Sequence, residues 1–272
     1  MTAFVKKVIL ILAFVMALLQ CGAAFAVQDS FMPEDILSKR AESRFNADVA
    51  DGAEFDPHSY SLANVVIGID PGHQQNADPE QEPVYPDNAH KTKDRMSPGA
   101  VGIRSGIEEH EVNLAVSLKL AEYLQVAGAS VVLSRSTNDV NISNIERAEL
   151  MNEAQVDFWI RIHCNSSNSQ RTNGALVIVP GKDMTIHDGS VELGKQILAG
   201  FCAATGAACK GVSYTSTQTG FNWSKSPVVT IEMGYLSNPE EDALLGRESY
   251  QFCCAEGIFA GIAAYCAKGD GA

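Results

Sequence analysis

From Asn64 onward, the chain alternates short runs of β-branched apolar residues with longer segments whose apolar residues recur at helical spacing. The first run, Val65–Asp70, leads into Pro71-Gly72, which predicts a buried strand with a turn at its carboxyl end. The order of elements predicts an α/β fold, a single three-layer domain with a largely parallel or mixed central sheet and helices on both faces. Further strands are predicted over 131–133, 158–162, 176–179 and 228–231, and helices over 112–128, 143–153, 190–205 and in a last pair that starts at Pro239.

Residues 74–105 interrupt this pattern. They are rich in Gln, Asn, Pro, Lys and Asp and show no apolar periodicity, so the sequence predicts a long loop. A loop of this length in a compact domain is usually functional or mobile.

The first 26 residues have the pattern of a secretory signal peptide. Lys6 and Lys7 precede an apolar run over 8–19, and Ala24-Phe25-Ala26 provides a small-x-small cleavage site. The alternative is a lipid anchor on Cys21. We expect a signal peptide over 1–26 and a linker or N-terminal extension over 27–63, with a short helix near 33–44. The protein is then exported to the cell envelope or the extracellular space, with no membrane attachment after cleavage.

Charge limits the partners of the protein. The chain has 272 residues, with 20 Lys+Arg against 33 Asp+Glu and a formal net charge of −13. Duplex nucleic acid and anionic membrane surfaces are held mainly by Lys and Arg, so neither is an expected partner.

Of the seven cysteines, all except Cys21 follow the predicted cleavage site. No CxxC pair occurs, so a cysteine metal cluster is not predicted. Cys254 and Cys266 fall on one predicted helix, about 18 Å apart at 1.5 Å per residue. A disulfide needs Cα atoms within about 7 Å, so these two cannot pair. We expect the cysteines to be small buried hydrophobic residues, with room for one disulfide.

Titratable residues occur where predicted strands end. His73 follows the first strand, His163 follows the third and Glu232 follows the fifth. Functional sites of α/β folds lie beyond the carboxyl ends of the strands, so we expect these side chains to meet.

A cluster of carboxylates precedes the predicted helix from Val112. Glu108, Glu109 and Glu111 form this cluster, after Gly106. Two His and a Glu are a typical ligand set for catalytic zinc, and hydrolysis needs a further Glu near the water. The structural alternatives are hydrogen-bonded histidines and carboxylates that only favour the start of a helix. A buried Glu after a strand is harder to explain in this way, because an unpaired carboxylate there is costly.

Four sequence blocks occur in one order: IGIDPGH at 67–73, GIEEHEVNL at 106–114, IHCN at 162–165 and VTIEMGYLSNPEE at 229–241. In these blocks the chain resembles the zinc-dependent N-acetylmuramoyl-L-alanine amidases, from residue 64 to about residue 267. The resemblance implies a catalytic domain over 64–272, with zinc bound by His73, Glu109 and His163 and with Glu232 as the catalytic carboxylate.

The implied activity is hydrolysis of the amide bond between N-acetylmuramic acid and L-alanine in peptidoglycan. Two alternatives stay open. One is a catalytically inactive wall-binding or regulatory module, and the other is a zinc peptidase acting on the stem peptide. The presence of all three implied ligands and of Glu232 argues against the first, whereas only the bond cleaved decides the second.

The sequence departs from the family pattern in two places. Cys164 stands where Ala is common, and its side chain should turn away from His163 if the strand continues. The segment 74–105 is longer than in compact members, and it connects two implied ligands, so we expect it to border the active-site groove. The remaining histidines expected at the surface are His58, His110 and His187.

Overall fold

The structure of the protein, a computed structural model, describes residues 55–269. In this part of the chain a central sheet has six strands and a separate hairpin has two. The strands are β1 (Val66–Pro71), β2 (Asp78–Tyr85), β3 (Asn88–Met96), β4 (Ser130–Leu133), β5 (Phe158–Asn165), β6 (Ala175–Pro180), β7 (Cys209–Thr215) and β8 (Val228–Tyr235).

The central sheet has the order β4-β1-β5-β8-β6-β7. Adjacent strands of this sheet are parallel, except that β6 and β8 pair antiparallel. The central strands β1, β5 and β8 are almost continuously buried, as expected for strands covered on both faces. The predicted α/β class with a mixed sheet is confirmed. The sequence does not predict β7, because this edge strand has no buried residue and therefore no apolar run.

Helices cover both faces of the sheet. They are α1 (Glu109–Val126), α2 (Asn144–Glu153), α3 (His187–Thr205), α4 (Thr219–Asn222), α5 (Pro239–Leu245) and α6 (Glu248–Gly269). One layer contains α6 packed on α1 and α3, and the opposite layer contains α2 in contact with α4. In this second layer, Met151 of α2 and Phe221 of α4 belong to one buried cluster with Trp159 of β5. The predicted capping box at the start of α2 is present, formed by Ser143 and Glu146.

Glycines bring α3 and α6 into close contact. A Cβ atom on Gly261 would lie 2.4 Å from the Cα of Ile197, and one on Gly257 would lie 2.7 Å from the Cα of Phe201. Both distances are shorter than any normal contact between carbon atoms. The two backbones therefore approach as closely as they do only because no side chain stands between them.

The segment 74–105 is not the loop that the sequence predicts, because β2 and β3 pair within it as an antiparallel hairpin. Most of β3 is exposed and polar, so its residues show no apolar alternation. The hairpin is tied to α2 by Arg95, which lies 3.3 Å from Asp78 and 3.0 Å from Glu146 in ion pairs.

Residues 55–63, at the end of the predicted linker, pack on the domain. The Phe55 ring stands edge-on to the rings of Tyr123 and Phe259, at centroid distances of 5.0 Å and 5.2 Å. Leu62 is buried, and its backbone N–H donates to the carbonyl oxygen of Ala127. The predicted signal peptide, the lipid-anchor alternative at Cys21 and the short helix near 33–44 lie outside the described residues.

No disulfide joins any two cysteines of the described chain. Cys164 and Cys254 are buried, as expected, whereas Cys209 is exposed on the edge strand β7. Cys254 and Cys266 lie on the single helix α6, as the sequence predicts. Across residues 55–269, no helix combines the length and apolar character needed to cross a membrane.

Candidate metal centre

His73 lies just beyond the end of β1, with a left-handed backbone conformation. Its φ is 58°, in the left-handed region that residues other than glycine rarely adopt. Its Nδ1 lies 2.9 Å from the carbonyl oxygen of Ser97. An Nδ1–H that donates to this oxygen leaves the Nε2 lone pair unprotonated. The Ser97 contact therefore fixes the orientation and the tautomer of the ring.

Two buried arginines hold the turn that carries His73. Arg147 donates to the carbonyl oxygens of Pro71 and His73, each at 2.9 Å. Arg135 donates to those of Pro71 and Gly72, at 2.9 Å and 3.0 Å. The turn is thus held by two charged side chains that donate to its backbone carbonyl oxygens.

Asp70, at the end of β1, shares its carboxylate between two buried arginines. Oδ1 accepts from Arg147 at 2.6 Å, and Oδ2 accepts from Arg161 at 2.9 Å. Burial opposes ionisation of this carboxyl group, but the two guanidinium groups outweigh burial and hold its pKa well below the usual range. Asp70 is therefore the buried counterion that positions Arg147 and Arg161.

Glu109 is the first residue of α1, and its carboxylate is fixed from several sides. Oε1 accepts from the backbone N–H of Cys164 at 3.0 Å and from Nδ2 of Asn113 at 3.2 Å. Oε2 accepts from the backbone N–H of Ala100 at 2.8 Å. The side chain is buried, so these donors set the direction in which its remaining lone pairs point.

The structure brings His73, Glu109 and His163 together. Nε2 of His73 lies 3.3 Å from Oε2 of Glu109, and Nδ1 of His163 lies 3.1 Å from Oε1. One ligand atom from each side chain lies within 4.8 Å of the other two. Burial raises the pKa of Glu109, but its interactions with the His163 and His73 side chains outweigh burial and keep this pKa well below normal. Burial lowers the pKa of His163 to about 4, so its ring is neutral at pH 7.

Two glycines make room for this cluster. A Cβ atom on Gly72 would lie 2.3 to 2.6 Å from ring atoms of His163, and one on Gly99 would lie 2.9 Å from the Cβ of Glu109. The backbone next to the cluster therefore tolerates no larger residue without displacing a candidate ligand.

Glu232 stands beside His163 in the sheet. The two residues are direct partners in the parallel pair β5–β8, so their side chains leave the same face. Oε2 of Glu232 is buried without a hydrogen-bond partner among the described residues. Burial and repulsion from Glu109 raise the pKa of Glu232 to about 8, although Arg161 opposes this shift.

The donor set of His73, Glu109 and His163 fits a zinc ion. Two neutral imidazoles and one carboxylate are a typical catalytic set that leaves a fourth position open. Nε2 of His163 is buried without a hydrogen-bond partner among the described residues, a cost that a bound cation would remove. The positive charge of a bound cation would also lower the pKa of the nearby Glu232.

A cleft of about 440 Å³ opens beside these residues. The hairpin forms one wall of it, in agreement with the expectation that the segment 74–105 borders the site. The cleft is lined by His73, Lys93, Asp94, Met96, Ser97, Asn144, Arg161, His163 and Gln218.

Several details differ from the sequence prediction. His163 and Glu232 lie within β5 and β8, because both strands continue beyond the apolar runs that predict them. Glu108 and Glu111 form a capping box at the start of α1. His110 is buried beside Glu108, with 2.6 Å between Nε2 and the carboxylate, so its expected surface position is wrong.

Sequence reasoning misses the buried ionic network around the site. Asp70, Arg147 and Arg161 support the turn and the cleft, yet none of them stands out as a ligand. The signal is present in the sequence, since Arg161 interrupts the apolar run 158–162 and Asp70 ends the first strand. A charge within a buried strand requires a buried partner of opposite sign.

A mixed α/β sheet with two histidines and a carboxylate gathered at one edge, next to the carboxylate of Glu232, is typical of hydrolases that use a metal ion. Comparison with known proteins makes the assignment specific. A model of the N-acetylmuramoyl-L-alanine amidase family matches residues 67–264, and the chain belongs to this family. The predicted family and enzyme class are confirmed.

Individual relatives agree with this assignment. The germination-specific N-acetylmuramoyl-L-alanine amidase of Bacillus subtilis is 28% identical over 242 residues, which cover 83% of this chain and 90% of the relative. The amidase LytC of the same organism is 30% identical over 184 residues, which cover 68% of this chain. The match spans 35% of the length of LytC.

Solved structures show the same fold. An N-acetylmuramoyl-L-alanine amidase from Clostridium difficile aligns with a TM-score of 0.63 and 28% identity, over 76% of this chain and 98% of that chain. The amidase Ami1 of Mycobacterium smegmatis aligns with a TM-score of 0.71 and 23% identity, over 76% of this chain and 99% of its own.

Proposed function

We propose that the protein is a zinc-dependent hydrolase that cleaves the amide bond between N-acetylmuramic acid and L-alanine in peptidoglycan. The observation that carries the proposal is the gathering of His73, Glu109 and His163 within 4.8 Å, next to the unpartnered carboxylate of Glu232. In this proposal the first three residues are the zinc ligands and Glu232 is the catalytic residue.

Each group has a defined task in this reaction. When bound, zinc lowers the pKa of water to about 7 and polarises the carbonyl group under attack. Glu232 takes a proton from the attacking water, whose oxygen bonds to the lactyl carbonyl carbon. As the C–N bond breaks, Glu232 passes this proton to the leaving nitrogen of L-alanine. The products are a free lactyl carboxyl group and a free amino terminus on the stem peptide.

The surroundings of Glu232 suit proton transfer. Burial and the Glu109 charge raise its pKa, and a cation at the ligand cluster counteracts this rise. Together, the two effects bring the pKa of the Glu232 carboxyl group toward neutrality, where a general base works best. Glu109 cannot take this role, because its oxygens are occupied by backbone and side-chain donors.

The proposed location of the activity is the cell envelope or the extracellular space, where peptidoglycan is found. The supporting feature is the signal-peptide pattern over 1–26, followed by the extension 27–63 and the catalytic domain 64–272. Several relatives carry the name N-acetylmuramoyl-L-alanine amidase, which agrees with a substrate in the cell wall.

Metal dependence is tested with His163→Ala. This variant should lose its zinc and its hydrolytic activity while remaining folded, because one of three proposed ligands is removed. His90→Ala is the matched control, since His90 is exposed on the hairpin. Zinc content is measured by elemental analysis and folding by circular dichroism. Full activity after exhaustive chelation, or unchanged zinc in folded His163→Ala, would contradict the proposal.

The bond cleaved is identified by mass spectrometry of purified peptidoglycan digested by the mature protein. Stem peptides that begin with a free L-alanine amino group are the expected products. Cleavage within the stem peptide would instead assign a peptidase, and intact peptidoglycan would leave a wall-binding module.

A further inference from the structure

Lys93 of β3 is a cation in the wall of the cleft that contains His73 and His163. It pairs directly with Glu82 across the hairpin, so both side chains leave the same face. Burial and the nearby Arg161 charge lower the pKa of Lys93 to about 8, and the ammonium form still predominates at pH 7. The side chain thus places a positive charge beside the candidate metal centre.

No residue of the described chain neutralises Lys93 by direct contact. Glu82 does not form an ion pair with it, and Oε2 of Glu82 accepts instead from the backbone N–H of Ile145 at 3.2 Å. Asp94, which also lines the cleft, accepts from Nε2 of Gln81 at 2.6 Å. The charge of Glu82 acts on the Lys93 ammonium group, but no carboxylate of the described chain lies within ion-pair distance of it. A half-buried ammonium group without a direct ion pair favours the binding of an anion.

Gln218 supplies a second donor to the same cleft. Its Oε1 accepts from Oγ1 of Thr230 at 2.8 Å and from Nη1 of Arg161 at 3.3 Å. These two donors fix the amide with its oxygen turned to the arginine, so Nε2 is the polar group left for a ligand. A hydrogen-bond acceptor in the cleft can therefore meet both an ammonium and an amide donor.

Arg161 adds to the positive potential of this wall. Its counterion Asp70 is shared with Arg147, so one carboxylate faces two guanidinium groups. The whole chain carries a net charge of −13, which repels anions in general. A local excess of positive charge at the cleft is therefore needed if an acidic ligand is to bind there.

We propose that Lys93 and Gln218 form a subsite for a carboxylate of the stem peptide, namely the free α-carboxylate of its second residue. This inference rests on the proposed amidase function. The second residue of the stem peptide is a glutamate linked through its γ-carboxyl group. Its α-carboxylate is the first negative charge after the scissile amide, separated from it by one alanine, about 3.5 Å of extended chain. Lys93 is a specificity-determining residue in this account.

The test compares two synthetic substrates whose γ-carboxyl group is capped as a methylamide, N-acetylmuramoyl-L-alanyl-D-glutamate γ-methylamide and the same compound with the α-carboxylate amidated. The protein should favour the acidic substrate by about tenfold in kcat/KM, since a charge-assisted hydrogen bond is lost with the amide. Lys93→Met should remove this preference, and Lys93→Arg should retain most of it. Lys91→Met is the matched control, because Lys91 lies on the same strand but outside the cleft.

A binding measurement separates this inference from the proposed activity. The dipeptide L-alanyl-D-glutamate γ-methylamide and its α-amide are titrated into the zinc-loaded mature protein by calorimetry. The acidic dipeptide should bind about tenfold more tightly, and Lys93→Met should abolish the difference. If the protein cleaves neither substrate, the proposed activity is wrong, yet the titration still decides the role of Lys93. Equal affinity for the two dipeptides, absent binding of the acidic one, or an unchanged preference in Lys93→Met would overturn the inference.

Discussion

The Asp70 carboxylate lies between Arg147 and Arg161 and is fully buried with them. Removal of one partner from such a group leaves uncompensated charge in the interior, which costs about 3–5 kcal/mol. The same arginines support the His73 turn and the cleft. A single buried carboxylate therefore links the stability of the domain to the geometry of its candidate site.

We predict that Asp70→Asn lowers the free energy of unfolding by about 3–5 kcal/mol at pH 7, because two guanidinium groups lose their counterion. Asp139→Asn, at an exposed position, should change it by less than about 0.5 kcal/mol. Urea unfolding at constant temperature measures both.

The pH dependence follows from the lowered pKa of Asp70. A carboxyl group whose pKa is lower in the folded state stabilises the fold above its ordinary pKa, here 3.8, and loses this effect as pH falls below it. The difference between the wild type and Asp70→Asn should therefore narrow from pH 7 to pH 3. A difference of equal size at both pH values would contradict the proposed role of the ion pairs.

For single residues, the sequence predicts the site residues that lie in a recognisable motif. It misses those whose role depends on contacts with residues distant in the sequence. His73, Glu109 and His163 stand in blocks that resemble the family, and the structure brings them together. The partners of Asp70 come from α2 and β5, separated from it by 77 and 91 residues. No local pattern reports such contacts, because they exist only after the sheet has assembled.

Among the elements, α3 and α6 depend on glycine for their close contact. Gly261 faces Ile197 so closely that one methyl group would overlap the opposing backbone. This packing covers one side of the sheet, behind the strands that carry His163 and Glu232. No residue of α3 or α6 lines the cleft, so we expect this packing to contribute to stability and not to chemistry.

We predict that Gly261→Ala destabilises the domain by about 1–3 kcal/mol, because overpacking outweighs the better helix propensity of alanine. Ala264→Leu on the exposed side of α6 is the control and should be nearly neutral. Thermal unfolding measures both variants. A stabilised Gly261→Ala protein would show that the helices separate at little cost.

The regular elements are predicted better than the hairpin, for a physical reason. Strands β1, β5 and β8 are buried on both faces, so their apolar runs reveal them. In β3, six consecutive charged or polar positions, 90–95, leave no apolar alternation. That strand is held by its pairing with β2 and by the ion pairs of Arg95. These contacts involve residues elsewhere in the chain, so the local hydrophobic pattern of β3 does not reveal them.

For the whole molecule, the proposed function requires an acidic protein to act on an acidic polymer. The net charge of −13 gives no general attraction to such a substrate, so recognition must be local. In the proposed subsite, Lys93, Gln218 and Arg161 supply this local recognition in the cleft beside the candidate metal centre. Proposed export of the mature chain brings this cleft to the only compartment in which the polymer is present.

The most direct test of the central claim is the rate of stem-peptide release by Glu232→Gln, measured with zinc content on the same sample. Glutamine keeps the size of glutamate but cannot accept a proton from water at neutral pH. The variant should fold, retain zinc and lose activity by about 10²- to 10⁴-fold, the usual contribution of a general acid-base group. Glu240→Gln, an exposed control nearby, should release peptides at the wild-type rate. Near-normal release by Glu232→Gln with zinc retained would contradict the account, and loss of zinc would make Glu232 a ligand instead.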